Sequence, residues 1–285
     1  MFHLQQNDAL LAAGLKVAAL SGAGIVLLVV ALLLIESAPL VERIGVSRFF
    51  TDASWHPTSG EFNLAPMVVA SLLITFGSLG LAVPVALLSA IFCNYYAPVA
   101  LAALYRRMLE IAGGMPTIVY GYWGLVTLVP IIAQLGGPGT SLLAASIVLA
   151  LMILPTILLM IDASIVAVPT HYLHSAVALG IGRSATVRKL VVPIIRRGIV
   201  AATILGATRA IGETMVVLMV SGNIVQVPAS LLEPVRALTA NIALEMAYAV
   251  DDHRAALFVS GLLLMGMVVA LVIAGERVAD GFRDQ

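Results

Sequence analysis

Long apolar runs, separated by shorter polar intervals, dominate the pattern of the chain. Each run approaches or exceeds the length of about 20 residues that a helix needs to cross a bilayer. Six spanning helices are predicted, at about 16–35, 66–93, 109–133, 141–161, 198–222 and 255–275. Glycine and proline interrupt the third run, which favours a bent helix or close contact between helices. The pattern therefore predicts an all-α, polytopic membrane protein with about six transmembrane helices.

Two polar intervals carry structural predictions of their own. The interval 97–108 reads as a short interfacial helix that Pro98 starts. The interval 36–65 contains Phe49, Phe50, Trp55 and Pro57, and we expect it to form an ordered cap at the water interface. The first apolar run exceeds the length of a signal-peptide core and lacks a clear small-x-small cleavage site, so we interpret it as a retained spanning helix.

Composition supports a membrane protein. Of 285 residues, 61% are hydrophobic and 11% are charged, and the formal net charge is zero. A soluble domain could not cover its surface with so few polar groups. The net charge implies no nucleic-acid partner. The single cysteine, Cys93, lies in an apolar run, so no disulfide framework and no cysteine metal cluster are expected.

Basic residues are divided unequally between the two sides of the predicted bundle. With a cytoplasmic amino terminus, ten basic residues lie on the inner side and four lie in outer segments. This asymmetry follows the positive-inside rule and predicts that both termini face the cytoplasm.

Arg209 and Glu213 stand in the middle of the fifth apolar run. Their spacing of four residues would place both side chains on one face of a helix, one turn apart, where they can touch. One interpretation is a structural ion pair that neutralises itself within a helix bundle. The other is a pair that lines the route of a charged solute. Gly206 and Gly212 flank the pair and favour close helix contact, or alternatively leave room for an anion.

The inner segment 162–197 has the pattern of a folded unit. Residues 172–179 predict a helix that Gly180 or Gly182 ends in a left-handed turn. Ser184 is predicted to cap a second helix that stops or bends near Pro193. Two short helices joined by a glycine turn form a knob suited to a groove on another protein. The alternative is a basic loop that only sets topology.

The stretch 174–193 resembles the coupling loop of ABC-importer permeases. The pattern of that loop is Glu-Ala-Ala, three residues, Gly, nine residues, an apolar residue, x, Leu-Pro. The candidate ATPase-coupling residues are His174, Ser175, Ala176, Gly180, Leu190 and Pro193. His174 and Ser175 replace the Glu and the first Ala of the pattern. The missing acid puts in question any ionic contact that the family makes there, but the two-helix shape is expected.

Further runs narrow the resemblance to phosphate-importer permeases of the PstC type. They are 114–125 (GMPTIVYGYWGL), 206–215 (GATRAIGETM) and 220–223 (VSGN). The resemblance implies the ABC importer type I permease fold over 66–275, with the coupling loop at about 172–193. It leaves an amino-terminal helix and outer loop at 1–65, and a cytoplasmic tail at 276–285. It also implies that Arg209 and Glu213 line the path of inorganic phosphate.

The resemblance further implies an assembly in the bacterial cytoplasmic membrane, surrounded by lipid. Its partners are a second, related permease subunit, two ATP-binding cassette ATPase subunits and an extracytoplasmic phosphate-binding protein. This chain lacks the Gly-x-x-x-x-Gly-Lys-[Ser/Thr] phosphate cradle. We therefore expect it to bind no cofactor itself and ATP to be hydrolysed on the partner subunits.

Three rival functions follow from the same residues. A secondary transporter would also carry charges at mid-membrane, but it would be expected to show an internal repeat, and none is evident in this sequence. An intramembrane hydrolase would need a motif such as Gly-x-Ser-x-Gly or His-Glu-x-x-His, and neither is present. An importer of sulfate or another oxyanion is the alternative that differs only in substrate.

Overall fold

The structure is a computed structural model that describes residues 2–282, with side chains described from residue 11 onward. Helices occupy most of this range, because apolar segments can satisfy their backbone hydrogen bonds in a bilayer by forming helices. In chain order they are α1 (Phe2–Ile44), α2 (Arg48–Thr51), α3 (Ala65–Tyr95), α4 (Val99–Gly114), α5 (Thr117–Trp123), α6 (Val129–Ala133), α7 (Leu142–Val166), α8 (Thr170–Ala178), α9 (Arg183–Thr186), α10 (Val192–Ile194), α11 (Arg196–Ile211), α12 (Met215–Val220), α13 (Leu238–Glu245) and α14 (Asp251–Asp280).

Four of the six predicted spans are single long helices. The segment Leu11–Ile44 of α1, together with α3, α7 and α14, is long and apolar enough to cross a membrane. The predicted runs 16–35, 66–93, 141–161 and 255–275 lie within these helices. The third predicted span lies within a pair of helices that meet at a bend, and the fifth contributes α11 to a second such pair. Six crossings are reached when each bent pair counts as one.

The first bent pair confirms the interruption predicted for the third span. Helix α4 meets the helical segment Thr117–Ala133 at 96°. The bend lies at Met115, whose ψ of 140° is extended, because the residue before a proline is disfavoured in the helical region. The predicted interfacial helix and the start of the predicted third span form one helix, α4, which begins directly after Pro98.

The second bent pair lies at the inner end of the predicted fifth span. The helical segment Arg183–Ile194 meets α11 at 65°, which agrees with the bend expected near Pro193. A π-helical turn, Val187–Val191, precedes this proline, and another, Gly124–Leu128, precedes Pro130. A proline ring clashes with the carbonyl four residues earlier and removes one helical hydrogen bond. In both places that carbonyl lies within the π-helical turn, where the bonding pattern is shifted.

The main core surrounds α7, the most buried of the long helices. Helix α7 packs against α3, α4, α11 and α12, and its apolar side chains, such as Leu149, Ile153 and Ile157, are fully enclosed. Helix α1 lies at the edge, packed on α14, and leaves large apolar side chains such as Leu20 and Leu28 exposed. An exposed apolar helix of this length is suited to lipid rather than to water.

A second, smaller core lies under the outer loop. Two short strands, β1 (Trp55–His56) and β2 (Glu61–Phe62), form an antiparallel hairpin around the 3₁₀ turn Pro57–Ser59. Phe49, Trp55 and Phe62 are buried here against residues of α13 and α14. The ordered cap predicted for this loop is therefore confirmed. The loop itself is shorter than predicted, since α1 continues to Ile44.

Candidate functional site

Arg209 lies near the carboxyl end of α11. At about 1.5 Å per residue, it is roughly 20 Å along the helix from Arg196. Its Nη1 donates a 2.9 Å hydrogen bond to Oγ1 of Thr156 on α7, and its side chain is half-buried. A hydroxyl is a neutral partner, so this contact orients the guanidinium without compensating its charge. An arginine at the centre of a bilayer costs about 2.5–3.5 kcal/mol on insertion scales.

The predicted contact between Arg209 and Glu213 is wrong. Helix α11 ends at Ile211, so the two residues do not share a helical face. Among the residues whose side chains the structure describes, no ion pair joins them. The predicted single helix over 198–222 is instead two helices, α11 and α12, with a break between them.

Glu213 occupies this break directly before Thr214, the N-cap residue of α12, and its side chain caps the start of that helix. Its Oε1 accepts hydrogen bonds from the backbone N–H groups of Thr214, Met215 and Val216, at 3.2, 3.1 and 3.4 Å. The first N–H groups of a helix have no acceptor within the helix, so a nearby carboxylate stabilises a helix start. This local competition for the carboxylate explains why Glu213 does not turn towards Arg209.

The cap leaves one carboxylate oxygen available. Within the described part of the chain, the hydrogen bonds to the Glu213 carboxylate all reach Oε1, and none reaches Oε2. The backbone carbonyl of Glu213 accepts a 2.9 Å bond from the hydroxyl of Thr239 on α13. Glu213 is thus held at both its backbone and its side chain, with Oε2 able to accept a further hydrogen bond.

Helices α11 and α7 pack closely near Arg209. A Cβ atom at Gly206 would lie 2.6 Å from Cδ1 of Ile157, the neighbour of Thr156. The interpretation of Gly206 as a point of close helix contact is therefore confirmed. The nearest atom to a Cβ at Gly212 is a carbonyl of its own helix, 3.5 Å away. On α5, the hydroxyl of Tyr120 donates to a carbonyl of α4.

The inner loop folds into the predicted pair of helices joined by a glycine turn. Helix α8 ends in a turn in which Gly180 has a φ of +70°, a conformation that glycine adopts without strain. The N–H of Ile181 bonds the carbonyl of Ala176, and the N–H of Gly180 bonds that of Val177, both at 2.9 Å. These two bonds are those of a Schellman motif. The second helix begins at Arg183 with Gly182 as its cap, so the predicted cap by Ser184 is wrong.

The predicted coupling residues lie along this loop in different environments. His174 and Ser175 are exposed on α8, whereas Ala176 is buried at 5% exposure. Leu190 and Pro193 are half-buried in the second helical segment. Val177 and Leu179, at 74% and 77% exposure, present apolar surface outward. Helix α11 connects this loop to Arg209, and the structure keeps the two predicted sites at its opposite ends.

A polar cluster near the carboxyl end of α7 was not predicted from the sequence. Arg106 on α4 donates from Nε and Nη2 to the two carboxylate oxygens of Asp162, each bond being 2.9 Å long. Asn94 on α3 donates to Asp162 at 2.6 Å and accepts from Arg106 at 3.1 Å. Asp162 is 8% exposed. The available signal was that Arg106 precedes the predicted span 109–133 and Asp162 follows the predicted span 141–161, but no spacing rule pairs residues 56 positions apart.

A second unforeseen cluster lies beneath the outer cap. Glu245 accepts hydrogen bonds from Nε1 of Trp55 at 2.9 Å, from Arg236 at 2.7 Å and from Nε2 of His253 at 2.8 Å. The three donors come from the outer hairpin, the segment before α13 and the start of α14, so one buried carboxylate joins three segments. These groups line part of a cavity of about 600 Å³ beside the hairpin.

Comparison with known proteins places the chain among transport proteins. A family model described as a binding-protein-dependent transport system inner membrane component matches residues 82–281. The probable ABC transporter permease protein YqgH of Bacillus subtilis is 36% identical over 213 residues, which cover 73% of this chain and 69% of that protein. The phosphate transport system permease protein PstC of Xylella fastidiosa is 31% identical over 250 residues, which cover 80% of this chain and 77% of that protein.

Solved structures share the arrangement of the helices. The MetNI methionine ABC transporter in an inward facing conformation matches with a TM-score of 0.58 and 20% identity, over 77% of this chain and 94% of that chain. A bacterial alginate ABC transporter in complex with a pentasaccharide-bound periplasmic protein matches with a TM-score of 0.59 and 11% identity, over 93% and 95%. At these identities the likeness shows the fold alone, and that fold is the permease fold predicted from the sequence.

Proposed function

Because the chain belongs to the family of binding-protein-dependent transport system inner membrane components, we propose that it carries inorganic phosphate through an ATP-driven importer. It is a multi-pass membrane protein and a permease subunit of an ABC importer, not an enzyme. The choice of phosphate draws on its likeness to relatives named as phosphate permeases. The further support is the chemistry around Arg209 and Glu213.

The observation that carries this proposal is the uncompensated charge of Arg209. Its guanidinium meets the neutral hydroxyl of Thr156, and no carboxylate within the described residues forms an ion pair with it. A guanidinium keeps its charge when it is partly desolvated and matches the oxygens of phosphate in a bidentate manner. An anion that passes Arg209 supplies the missing counter-charge for the time of its passage.

Glu213 gives a reason for phosphate rather than sulfate. Phosphate keeps at least one proton near neutral pH, so it can donate a hydrogen bond as well as accept several. Oε2 of Glu213 has no partner in the described part of the chain and can accept that bond. Sulfate has no proton to donate, and a carboxylate beside it would repel it without compensation.

The inner loop, residues 172–193, is proposed as the contact with the ATPase subunits. Its exposed apolar side chains, Val177 and Leu179, suit a groove on another protein. The bend between this loop and α11 would transmit motion towards Arg209 and switch its exposure between the two sides of the membrane. In this proposal two ATPase subunits hydrolyse ATP, a second permease subunit packs alongside, and an extracytoplasmic phosphate-binding protein docks on the outer loops. Both termini then face the cytoplasm.

The experiment is uptake of labelled phosphate by proteoliposomes that contain the complete importer with its companion subunits. ATP is supplied to the ATPase side or withheld, and Arg209 is intact or replaced in Arg209→Ala. We expect uptake that depends on ATP. Unlabelled phosphate should reduce the uptake of labelled phosphate, whereas sulfate should not. We expect Arg209→Ala to lose this uptake while it is still assembled in the membrane. Arg277→Ala, which removes an exposed arginine of α14, is the matched control and should transport normally.

Each alternative has its own signature in this experiment. Uptake without ATP would indicate a secondary transporter. Competition by sulfate at equal strength would indicate a general oxyanion importer. Normal uptake by a stably assembled Arg209→Ala protein would remove Arg209 from the substrate path.

A further inference from the structure

Thr156 differs from most hydroxyl residues of the spanning helices in the bond that it makes. Ser146, Ser164 and Thr203 each donate a 2.8 Å hydrogen bond to the carbonyl four residues earlier in their own helix. This is the usual arrangement for serine and threonine in a helix. Thr156 instead accepts a bond from Arg209, a charged residue of another helix. Its hydroxyl therefore performs a task that helix formation does not require.

The position of Thr156 restricts the movement of its side chain, which can therefore hold the Arg209 guanidinium in place. It lies on α7, the most buried of the long helices, between the buried residues Pro155 and Ile157. A β-branched side chain in a helix has restricted χ1 rotation, which limits the places that its hydroxyl can occupy. Arginine, in contrast, has a long side chain with several rotatable bonds. The hydrogen bond thus ties a flexible cation to a rigid helix.

The single bond leaves most of the guanidinium available. Arginine has five N–H donors, and one of them bonds Thr156. Among the residues that the structure describes, no other hydrogen bond from the Arg209 side chain is found. A side chain held through one donor, with its remaining donors unused, is arranged to receive a ligand that accepts several hydrogen bonds.

We propose that Thr156 is a positioning residue that orients Arg209 for hydrogen phosphate in the substrate path. This inference rests on the proposed function and extends it to a residue outside the predicted pair. Thr156 acts through Arg209, by keeping its unused N–H donors directed at the passing anion. Loss of the hydroxyl leaves the charge in place but releases its orientation, so the geometry for a bidentate contact is lost.

The test compares three variants in the complete reconstituted importer. Thr156→Val keeps the shape and removes the hydroxyl, Thr156→Ser keeps the hydroxyl, and Thr203→Val removes a hydroxyl that bonds only its own helix. Phosphate uptake and ATP hydrolysis are measured together, at equal amounts of assembled protein. We expect Thr156→Val to lower the phosphate transported per ATP hydrolysed by about tenfold, the effect of losing a hydrogen bond to a charged group. Thr156→Ser and Thr203→Val should transport like the unmodified importer.

The outcomes separate this inference from the proposed function. Normal uptake by Thr156→Val, or equal losses in Thr156→Val and Thr156→Ser, overturns the role of the hydroxyl. A loss in Thr203→Val as large as that in Thr156→Val assigns the effect to packing and overturns it as well. If Arg209→Ala abolishes uptake and Thr156→Val does not, only the present inference fails. If the unmodified importer takes up no phosphate, the proposed function fails and this inference with it.

Discussion

Arg106 and Arg209 are both arginines of the helical bundle, but the protein matches only one of them with an opposite charge. Arg106 donates to both oxygens of Asp162, with Asn94 bonded to each partner. Arg209 donates to a neutral hydroxyl. The first arginine lies at the inner end of α7, and the second lies roughly 20 Å along α11 from its inner end.

Glu245 and Glu213 differ in the same way. Glu245 accepts from three side chains that belong to three outer segments. Glu213 caps a short helix with one oxygen and keeps the other without a partner in the described chain. The carboxylates of Asp162 and Glu245 are satisfied by other side chains and hold segments together. The charges in the middle are held in place but not neutralised, which is the arrangement that a transient ionic ligand requires.

Removing a charge from the cluster of Asn94, Arg106 and Asp162 should have the largest effect on stability. Asp162→Asn leaves Arg106 without its counter-charge. We expect the free energy of unfolding to fall by about 3 kcal/mol, at the lower end of the range for a broken buried pair, because the Arg106 side chain is 31% exposed. Thermal unfolding of the purified protein in detergent measures this change.

Arg209→Gln is the matched control for that variant. It removes the same kind of charge from the middle of the bundle, where no ion pair is broken, and we expect stability to change by less than about 1 kcal/mol. The double variant Arg106→Gln with Asp162→Asn should regain part of the lost stability, since neither charge is then left alone. Equal losses for Asp162→Asn and Arg209→Gln would contradict the distinction between the two regions.

Substitutions at Glu213 separate its capping role from its charge, with an intermediate effect on stability. Glu213→Ala loses the acceptor for the N–H groups of α12 and should cost about 1 kcal/mol. Glu213→Gln keeps a capping oxygen and should be nearly as stable as the unmodified protein. Its amide replaces the second oxygen by a donor, so we expect both variants to lose phosphate uptake in proteoliposomes. Full uptake by Glu213→Gln would show that the cap alone is required.

The smallest effect is expected from an ion pair on the outer surface. Arg48 donates to Asp52 at 3.0 and 3.1 Å, and this hydrogen bond lowers the pKa of Asp52 below its usual value of 3.8. Because the folded pKa is lowered, the stabilisation is present at neutral pH and is lost as the pH falls through the folded value. Arg48 is 42% exposed, so Asp52→Asn should cost only ~0.5 kcal/mol at neutral pH.

The pH dependence of that difference is the measurement that checks it. Thermal midpoints of the unmodified protein and Asp52→Asn should differ at neutral pH and converge in acid, below the usual pKa of 3.8. A difference that persists in acid would assign the effect to the bond between the backbone N–H of Phe62 and Asp52 rather than to charge. A loss of stability in Asp52→Asn as large as that in Asp162→Asn would contradict the expected difference between this exposed ion pair and the Arg106–Asp162 pair.

Features that depend on neighbouring residues were predictable from the sequence. Apolar runs located four long helices and the two bent spans. Gly180 ends α8 with a positive φ as expected, and the chain bends near Pro193. In each case the cause lies within a few residues: a missing Cβ atom, a missing N–H group or the length of an apolar stretch.

The partners of the charged groups were not predictable, since they lie far apart in the chain. Arg106 and Asp162 are separated by 56 residues, and Trp55 and Glu245 by 190. The spacing of Arg209 and Glu213 indicated a contact because it assumed one continuous helix. The break between α11 and α12 removes that premise, and Thr239 of α13 supports the break by bonding the carbonyl of Glu213.

The sequence by itself determined how many segments can enter the membrane, where the chain bends, and which two charges lie within an apolar run. It did so because apolar length, proline and glycine act on the backbone locally. Only the tertiary structure decided which charged side chains form ion pairs and which do not. Hydrogen bonds between side chains depend on distances in space, and packing of α7 against α4 and α11 brought Asp162 to Arg106 but only the hydroxyl of Thr156 to Arg209.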